Sequence, residues 1–463
     1  MNMDRIETKG KEVWHAYSEK GKAFYAAHRS PMIRSMSDQV SEFYEDALIL
    51  LETEGERAGR IVAIGDAQEV AEQCELDLDS IPVEASLLMP AFFDPHFHWV
   101  QDDVREMPKS SLIEWLNQYT FPEESKYGDR DFAQKKAARF WERILSVGTI
   151  GGLCYSSIHE GALEEAFRYA PEDFYIGNVL MTMNCPENIR QSIEDATRSV
   201  ETCAARYGSR YVATPRFAPT TDPLVMKASA RVAAQCACFQ QTHLSETTKE
   251  IDWVLEMYRE IPGFEDVRHY TDIYQRVGML GSKTIFGHCI YLEDAEWVML
   301  AESGSRIASC PTSNAPVDQL GLGSGLFDFR KAEHHDILWA LASDIGGGPF
   351  LSMFDVMRSF VKQNAAAGIT GATYSKALHR STVKGAAMLD LGEVRGRLEV
   401  GHYFDAIRVE LPAGDFRTGN AEPVIEAVVE SIPSRQATDD IVLETFIKGT
   451  SRYKSECRPS KIM

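Results

Sequence analysis

Two histidines stand two positions apart in the stretch MPAFFDPHFHWVQ, residues 89–101. Alternate residues of a β-strand point to the same face, so the imidazoles of His96 and His98 would project to one side of a strand, with Gln101 close behind. Two neutral imidazoles that converge on one point suit a divalent transition metal. An H-x-H pair alone also fits two hydrogen-bonded histidines at a strand end, so a metal site requires further ligands.

Further polar residues follow three other predicted strands. His243 and Glu246 lie in QTHLSE, His288 ends the segment FGH, and Asp344 lies in SDIGGG. Together with the H-x-H pair they give four imidazoles and two carboxylates at four strand ends. The C-terminal ends of the parallel strands of a barrel meet at one face, so these side chains would converge there.

The elements that would position these residues follow a strand-then-helix rhythm. Helical patterns separate most of the strand-like runs, for example in residues 131–147 and in ETTKEIDWVLEMYREI. About eight such units predict a (β/α)₈ TIM-like barrel, an α/β fold whose chemistry lies at the C-terminal strand ends. A doubly wound open sheet is the alternative, but no Gly-rich phosphate loop follows any of the strands. The eight runs are LLMPAFFDPHFHW, TIGGLCYSS, FYIGNVLMT, YVATPRFAP, ACFQQTHLS, KTIFGHCI, SRIASCPTS and ILWALASDIGG.

Short alternating runs flank the predicted barrel on both sides. DALILLE and RIVAIG precede it, and FDAIRVEL and LETFIKGT follow it. Such runs predict strands that pair across the two chain ends into a small β-sandwich domain. We therefore expect an N-terminal extension and first part of the small domain over 1–88, the barrel over 89–395, and the second part with a C-terminal tail over 396–463. Residues 1–43 show only helical and irregular patterns.

Composition excludes several classes of partner. The chain has 463 residues and a formal charge of 48 − 69 = −21, a field that repels nucleic acid and anionic membranes. It has no apolar run of about 18 residues or more and no signal-peptide pattern at its N-terminus. Nine cysteines without a C-x-x-C pair predict reduced thiols and a cytoplasmic location.

Several motifs resemble those of the guanine deaminases, a family within the amidohydrolase superfamily. The likeness runs in order from about residue 40 to 450 and is weakest at both ends. The H-x-H pair and the strand-end Asp are shared by the superfamily, whereas WLNQYTFP and TPRF are more specific to guanine deaminases. The motifs are DPHFHWVQ, EWLNQYTFPEE, TPRFAPT, THLSE, GHCIYLED, CPTSN, GLGSGLF and SDIGGG.

The resemblance implies one zinc ion per chain, with iron as the alternative metal. A zinc site of this kind keeps one position for water and lowers the pKa of that water to about 7. In the family pattern Asp344 takes the proton of the water, His288 hydrogen-bonds the resulting hydroxide, and Glu246 carries the proton to a ring nitrogen and then to the leaving amine. The implied ligands are His96, His98, His243 and Asp344.

Two further implications concern the number of metals and the substrate. Relatives with two metals use a carbamylated lysine at the end of the fourth strand, and VATPRFAPT contains no lysine, which favours one metal. By resemblance, Arg216 and Gln101 address the edge of the base, Phe217 packs on its ring, and the ligands His98 and His243 also border the substrate. The alternative for Arg216 is an ion pair in an acidic protein.

We therefore expect hydrolytic deamination of guanine to xanthine and ammonia, with a small aminopurine as substrate and a homodimer as the assembly. One alternative keeps the chemistry and changes the ring to a pterin, a triazine or another aminopurine. A second is a catalytically inactive structural homologue. Pro95 between Asp94 and His96, and the extended segment APVDQL after CPTSN, depart from the family pattern, and the latter would lie over the barrel mouth.

Overall fold

The computed structural model describes residues 3–8, 14–18, 24–432 and 441–455. Their contacts divide the chain into two compact units. One unit comprises Met1–Phe93, Glu142–Ile150 and Ile369–Met463, and the other comprises Asp94–Trp141 and Gly151–Gly368.

The strands of the described residues are β1 Met3–Thr8, β2 Trp14–Ser18, β3 Phe24–Ser35, β4 Ser41–Glu52, β5 Ile61–Asp66, β6 Leu87–Pro90, β7 Phe92–His98, β8 Thr149–Ser156, β9 Phe174–Leu180, β10 Val212–Pro215, β11 Phe239–Leu244, β12 Thr284–His288, β13 Arg306–Ser309, β14 Trp339–Leu341, β15 Ala406–Val409, β16 Gly419–Asn420, β17 Val442–Ile447 and β18 Thr450–Lys454. The α-helices of the same residues are α1 Ala67–Gln73, α2 Leu112–Trp115, α3 Phe121–Ser125, α4 Arg130–Ser146, α5 Glu160–Tyr169, α6 Ile193–Tyr207, α7 Pro223–Cys236, α8 Thr248–Arg259, α9 Tyr270–Arg276, α10 Asp294–Ser303, α11 Pro311–Asn314, α12 Phe329–His334, α13 Met353–Ala366, α14 Tyr374–Ser381, α15 Val383–Met388 and α16 Glu422–Ser431.

Strands β7 to β14 form one eight-stranded sheet in chain order. The pairs from β8 to β14 are parallel, and helices alternate with the strands. Backbone hydrogen bonds bring the two edges together: the His98 N–H donates to the Ile345 carbonyl at 3.2 Å, and the Asp344 N–H donates to the His96 carbonyl at 2.9 Å. The predicted (β/α)₈ barrel is confirmed.

Helix α6 illustrates how local sequence signals define the helices of the barrel. The Ser192 side chain accepts a hydrogen bond from the Asp195 N–H and caps the N-terminus. Buried Ala196, Val200 and Cys203 follow at steps of four and three residues, which places them on one face of the helix. Gly208, with φ of 57°, ends it in a conformation that glycine adopts without steric cost.

The second sheet is mixed and draws strands from both ends of the chain. Its order is β1-β2-β3-β6-β15-β17-β18, with β4 on β3 and with β5 and β16 on β4. Strand β15, from FDAIRVEL, pairs antiparallel with β6 on one side and with β17, from LETFIKGT, on the other. The predicted pairing of the chain ends is confirmed.

The expectation of helical and irregular structure over residues 1–43 is wrong for most of the described residues, which form β1, β2, β3 and the start of β4; residues 36–40 are irregular. Strand β3 is 12 residues long and buried on both faces over most of the described length, so its sequence lacks the alternation of a half-buried strand. A register shift between Ser30 and Met32, at Pro31, interrupts its pairing with β4.

The run LLMPAFFDPHFHW, predicted as one strand, is two. Leu87–Pro90 pairs with β15 in the mixed sheet, whereas Phe92–His98 belongs to the barrel. Ala91 stands between them, and its N–H donates to the Asp405 carbonyl at 3.1 Å. The H-x-H pair therefore lies on a strand of seven residues whose side chains are all buried.

Two smaller findings concern membranes and thiols. No helix within the described ranges combines the length and the apolar character that crossing a membrane requires. The eight cysteines among those residues are all free, and six of them are buried. Burial raises the pKa of Cys154, Cys289 and Cys310 well above the usual range, which keeps these thiols protonated.

Removal of one partner of a buried ion pair is expected to destabilise the unit that contains the mixed sheet. The side chains of Arg395 and Asp405 are 1% and 0% exposed, and Arg395 Nη2 donates to Asp405 Oδ1 at 3.0 Å. Arg395→Met would leave the carboxylate buried without its counter-ion, and we expect a loss of about 3–5 kcal/mol in the free energy of unfolding, measured by urea denaturation. The matched control is Arg417→Met, which removes an exposed ion pair with Glu45 and should cost less than about 1 kcal/mol. Equal losses in the two variants would contradict the expectation.

Candidate active site

Four predicted ligands come together at the C-terminal end of the barrel strands. His96 and His98 lie on β7, His243 lies on β11, and Asp344 follows β14. One side-chain atom of each lies within 4.8 Å of the other three. Asp344 Oδ1 is 3.4 Å from His96 Nε2 and 3.3 Å from His98 Nε2, and the Nε2 atoms of His98 and His243 are 3.3 Å apart.

This cluster fits a tetrahedral metal ion. Nitrogen and oxygen atoms bound to zinc at about 2.0–2.1 Å lie about 3.3–3.4 Å from one another, close to the separations observed. His96 Nε2 is buried and makes no well-directed hydrogen bond to any described residue, a deficit that an ion would remove. Three imidazoles and one carboxylate are donors that zinc accepts.

Hydrogen bonds behind the cluster orient its members. His243 Nδ1 donates to the Arg216 carbonyl at 2.7 Å, which leaves the lone pair of Nε2 directed at the cluster. Asp94 Oδ1 accepts the N–H groups of His96 and Ser343, at 3.3 and 3.1 Å, and so joins β7 to the segment that carries Asp344. The Ser343 hydroxyl donates a further hydrogen bond, to Asp94 Oδ2.

Gly287 leaves room for the His96 ring. A Cβ at this position on β12 would lie 2.5 Å from His96 Cε1, far inside van der Waals contact. The glycine of FGH is therefore required for the close approach of a ligand. On another side, His98 stacks on the Tyr155 ring at 4.3 Å, so packing as well as hydrogen bonding fixes the imidazoles.

Electrostatics favour the ligating forms of these residues. Burial lowers the pKa of His98 to about 4 and that of His243 well below the usual value, so both imidazoles are neutral at pH 7. Burial alone would raise the pKa of Asp344, but the contacts with His96 and His98 outweigh it and hold that pKa well below the usual range. Neutral imidazoles and an ionised carboxylate are the states that bind a metal.

Glu246 lies beside the cluster. It is 2% exposed, and its Oε1 accepts a hydrogen bond from the Ser324 hydroxyl at 2.7 Å. Burial and then the charge of Asp344 raise its pKa to about 8, so the side chain can hold a proton near neutral pH. Ser324 lies in GLGSGLF, and its carbonyl accepts a hydrogen bond from the Tyr291 hydroxyl at 2.6 Å.

His288, at the end of β12, lies between Glu246 and the ligand cluster. Its Nε2 lies 3.6 Å from Glu246 Oε2 and 3.9 Å from Asp344 Oδ2. The other ring nitrogen, Nδ1, lies 3.0 Å from Asn314 Oδ1. His288, Cys310 and Asp344 also form a group whose ligand atoms lie within 4.8 Å, but burial raises the pKa of the cysteine well above its usual range and so disfavours the thiolate.

The predicted substrate residues line the same cavity. Gln101, Arg216 and Phe217 border it together with His98, His243, Glu246, His288 and Asp344. An apolar wall is formed by Leu112, Trp115, Leu116 and Leu322. All the residues predicted from the sequence except His96 therefore face one space, and His96 lies directly behind it in the ligand cluster.

Leu322 connects the cavity to the extended segment after CPTSN. It follows APVDQL closely, and the Leu320 carbonyl accepts a hydrogen bond from Lys109 Nζ at 2.9 Å. Lys109 is 4% exposed and donates also to the Arg105 carbonyl at 2.6 Å. One buried ammonium group thus fastens two segments near the apolar wall.

Glu124 is a site residue that the sequence reasoning missed. Its carboxylate accepts hydrogen bonds from Arg216 Nη1 at 2.9 and 2.7 Å and from Gln101 Nε2 at 2.7 Å. The only signal in the sequence is its place in EWLNQYTFPEE, a motif that resembles those of the guanine deaminases. The ion pair that stood as the alternative for Arg216 is present, and Arg216 nonetheless lines the cavity.

Comparison with known proteins agrees with this geometry. Residues 87–451 match the model of the amidohydrolase family. A guanine deaminase of Escherichia coli K12 is 28% identical over 89% of this chain and 92% of its own length, and one of Dictyostelium discoideum is 32% identical over 69% of this chain and 72% of its own. The solved structure of E. coli guanine deaminase matches with a TM-score of 0.79 over 92% of this chain and 99% of that one, at 28% identity. The chain therefore belongs to the amidohydrolase family and is an enzyme of the hydrolase class.

Proposed function

We propose that this protein is a zinc-dependent guanine deaminase, which replaces the amino group of guanine with oxygen and yields xanthine and ammonia. The observation that carries the proposal is one cavity beside the cluster of four candidate ligands, lined also by a protonatable carboxyl, an arginine and a glutamine. The similarity to relatives named guanine deaminase, over most of their length, supports the same substrate.

The ligand cluster would hold one zinc ion through His96, His98, His243 and Asp344. When bound, such an ion supplies Lewis acidity and lowers the pKa of a coordinated water to about 7. Asp344 also places Oδ2 on the side of His288, 3.9 Å from Nε2, where it can accept a proton from an attacking oxygen. His288 Nε2, beside Oδ2, can hydrogen-bond the same oxygen.

Glu246 would carry the proton between oxygen and substrate. Its raised pKa lets the buried carboxyl donate a proton to a ring nitrogen and take one back, which is general acid–base catalysis. The Ser324 hydroxyl holds Oε1, so Oε2 remains directed towards His288 and the cluster. After it has protonated the ring nitrogen, Glu246 is a carboxylate; it can then take the second proton of the attacking oxygen and give it to the leaving amine.

Arg216, Gln101 and Phe217 would hold the base. Arginine donors match a purine carbonyl, and the Phe217 ring, packed edge-on to His243 at 6.2 Å between centroids, offers an apolar surface for a flat heterocycle. The wall of Leu112, Trp115, Leu116 and Leu322 encloses the remaining side. The polar edge of the base would thus be recognised by hydrogen bonds within a largely apolar cavity.

The substrate is tested with purified enzyme, zinc and a panel of guanine, adenine, a pterin and an aminotriazine, with released ammonia as the readout. We expect guanine to be deaminated and adenine to react at least about 100-fold more slowly in kcat/KM, because adenine presents an amine where the cavity offers donors. Enzyme treated with a chelator is the control and should release no ammonia. If adenine were deaminated as fast as guanine, or if a pterin or a triazine were deaminated faster than guanine, another ring would be the substrate.

A further inference from the structure

We propose that Glu124 is a positioning residue that sets which hydrogen-bonding groups Arg216 and Gln101 present to the substrate. The inference rests on the proposed function and extends it, because neither the metal site nor the acid–base chemistry requires this carboxylate. Glu124 lies on the short helix α3, and its side chain is 1% exposed. It accepts hydrogen bonds from both residues, and none of the four candidate ligands hydrogen-bonds to it.

The carboxylate fixes the orientation of the Gln101 amide. The oxygen and the NH₂ group of the Gln101 amide have nearly the same shape, so shape alone does not fix which way the amide points. A carboxylate paired with a guanidinium is ionised and only accepts hydrogen bonds. The group 2.7 Å from Glu124 Oε1 is therefore the NH₂ of Gln101. The carbonyl oxygen Oε1 is then the other end of the amide. It lies beside Gly346, where an added Cβ would be 2.1 Å from it, and it accepts no hydrogen bond from the residues that the structure describes. Since Gln101 lines the cavity, its Oε1 is the acceptor that it can offer to a bound base.

The same carboxylate fixes the Arg216 guanidinium. Nη1 donates to both oxygens of Glu124, and the guanidinium lies over the Phe121 ring at 5.3 Å, so its plane is held from two sides. Its Nε and Nη2 donors have no hydrogen-bond partner among the residues that the structure describes. Arg216 thus offers hydrogen-bond donors to the cavity, and Gln101 offers an acceptor to the same cavity.

A donor beside an acceptor matches a carbonyl next to a ring N–H, which is a lactam edge. Guanine carries this edge at its six-membered ring, in the 6-oxo group and N1–H. 2,6-Diaminopurine has the same 2-amino group to release but presents an amine and a bare ring nitrogen there, the reverse pattern. Glu124 therefore acts on specificity: it excludes the flipped amide of Gln101, whose NH₂ would donate to the bare N1 of the reversed edge.

The test compares Glu124→Gln with the parent enzyme on guanine and 2,6-diaminopurine, with kcat and KM measured separately. The substituted amide has the same size but can face Gln101 with either end, and it leaves Arg216 without a counter-ion. We expect KM for guanine to rise about 10- to 100-fold with kcat changed much less, and the guanine-to-diaminopurine ratio of kcat/KM to fall at least about tenfold. Metal content should not change.

Glu123→Gln is the matched control. Glu123 is the preceding residue of α3, is 5% exposed, and pairs with Lys126 at 2.5 Å, away from Gln101 and Arg216. It receives the same substitution in the same helix, and its substrate ratio should equal that of the parent. If Glu124→Gln keeps the parent ratio, or if Glu123→Gln lowers it equally, Glu124 has only a structural role and the inference is wrong.

Glu124→Asp covers the case in which the glutamine variant does not fold. It keeps a carboxylate, withdrawn by one methylene, so the substrate ratio should fall at least threefold but less than in the glutamine variant. An unchanged ratio in the aspartate variant would overturn the inference. A parent enzyme that does not deaminate guanine would overturn the proposed function and this extension together, whereas an active parent with an unchanged ratio in the variants overturns the extension alone.

Discussion

A His243→Ala variant is expected to lose its metal ion and all measurable guanine deamination. His243 Nε2 lies 3.3 Å from His98 Nε2 within the ligand cluster, and its loss leaves two imidazoles and one carboxylate. Removal of a residue that only supports a ligand typically costs 10–100-fold in metal affinity, so loss of a ligand itself should cost more. Elemental analysis after dialysis, together with the ammonia assay, measures both effects.

The control for this variant is His334→Ala. His334 is an exposed histidine at the end of α12, so it provides the same substitution without a contact to the cluster. It should keep one ion per chain and the parent rate. A His243→Ala enzyme that keeps both would show that the cluster does not hold the catalytic metal. Two ions per parent chain would instead contradict the single-metal site.

Replacement of Glu246 by glutamine should separate proton transfer from metal binding. The amide keeps the size of the side chain and can still accept the Ser324 hydrogen bond, but it cannot donate and recover a proton. We expect kcat for guanine to fall about 10²–10⁴-fold while the metal content stays at the parent value and guanine still binds. Steady-state kinetics, metal analysis and equilibrium binding of guanine measure the three quantities.

Glu256→Gln is the corresponding control, since Glu256 is an exposed carboxylate on the following helix α8. Its kcat and metal content should match those of the parent. If Glu246→Gln lost the metal as well as the rate, Glu246 would have to be reassigned as a ligand. If it kept the full rate, another group would have to carry the proton.

Much of the cluster was predictable because its signals are local. The H-x-H pair on β7 and the polar residues after β11, β12 and β14 each follow an apolar run directly, and barrel topology brings such positions to one face. The convergence of these six polar residues therefore required only an assignment of strands and their direction, whereas the choice of four of them as ligands came from the resemblance to guanine deaminases. The lack of a lysine after β10 is likewise visible in the sequence alone.

The supporting residues were not predictable for a physical reason. Glu124 is 92 positions from Arg216, and Ser324 is 78 positions from Glu246, so no periodicity or spacing relates the partners. Each contact depends on how two segments far apart in the sequence pack together. The strand over Phe24–Ser35 was missed for a different reason: burial of both faces removes the alternation by which a strand is recognised.

The carboxylate shared by Arg216 and Gln101 has a consequence for how this cavity can change over evolution. Since Glu124 bonds to both, the effects of substitutions at the three positions should not add, and loss of any one should hide much of the effect of losing a second. Evolution of specificity for a different base would then require single substitutions that reduce the existing activity before the new activity appears. Libraries that vary the three positions together, rather than in turn, would be needed to cross that gap.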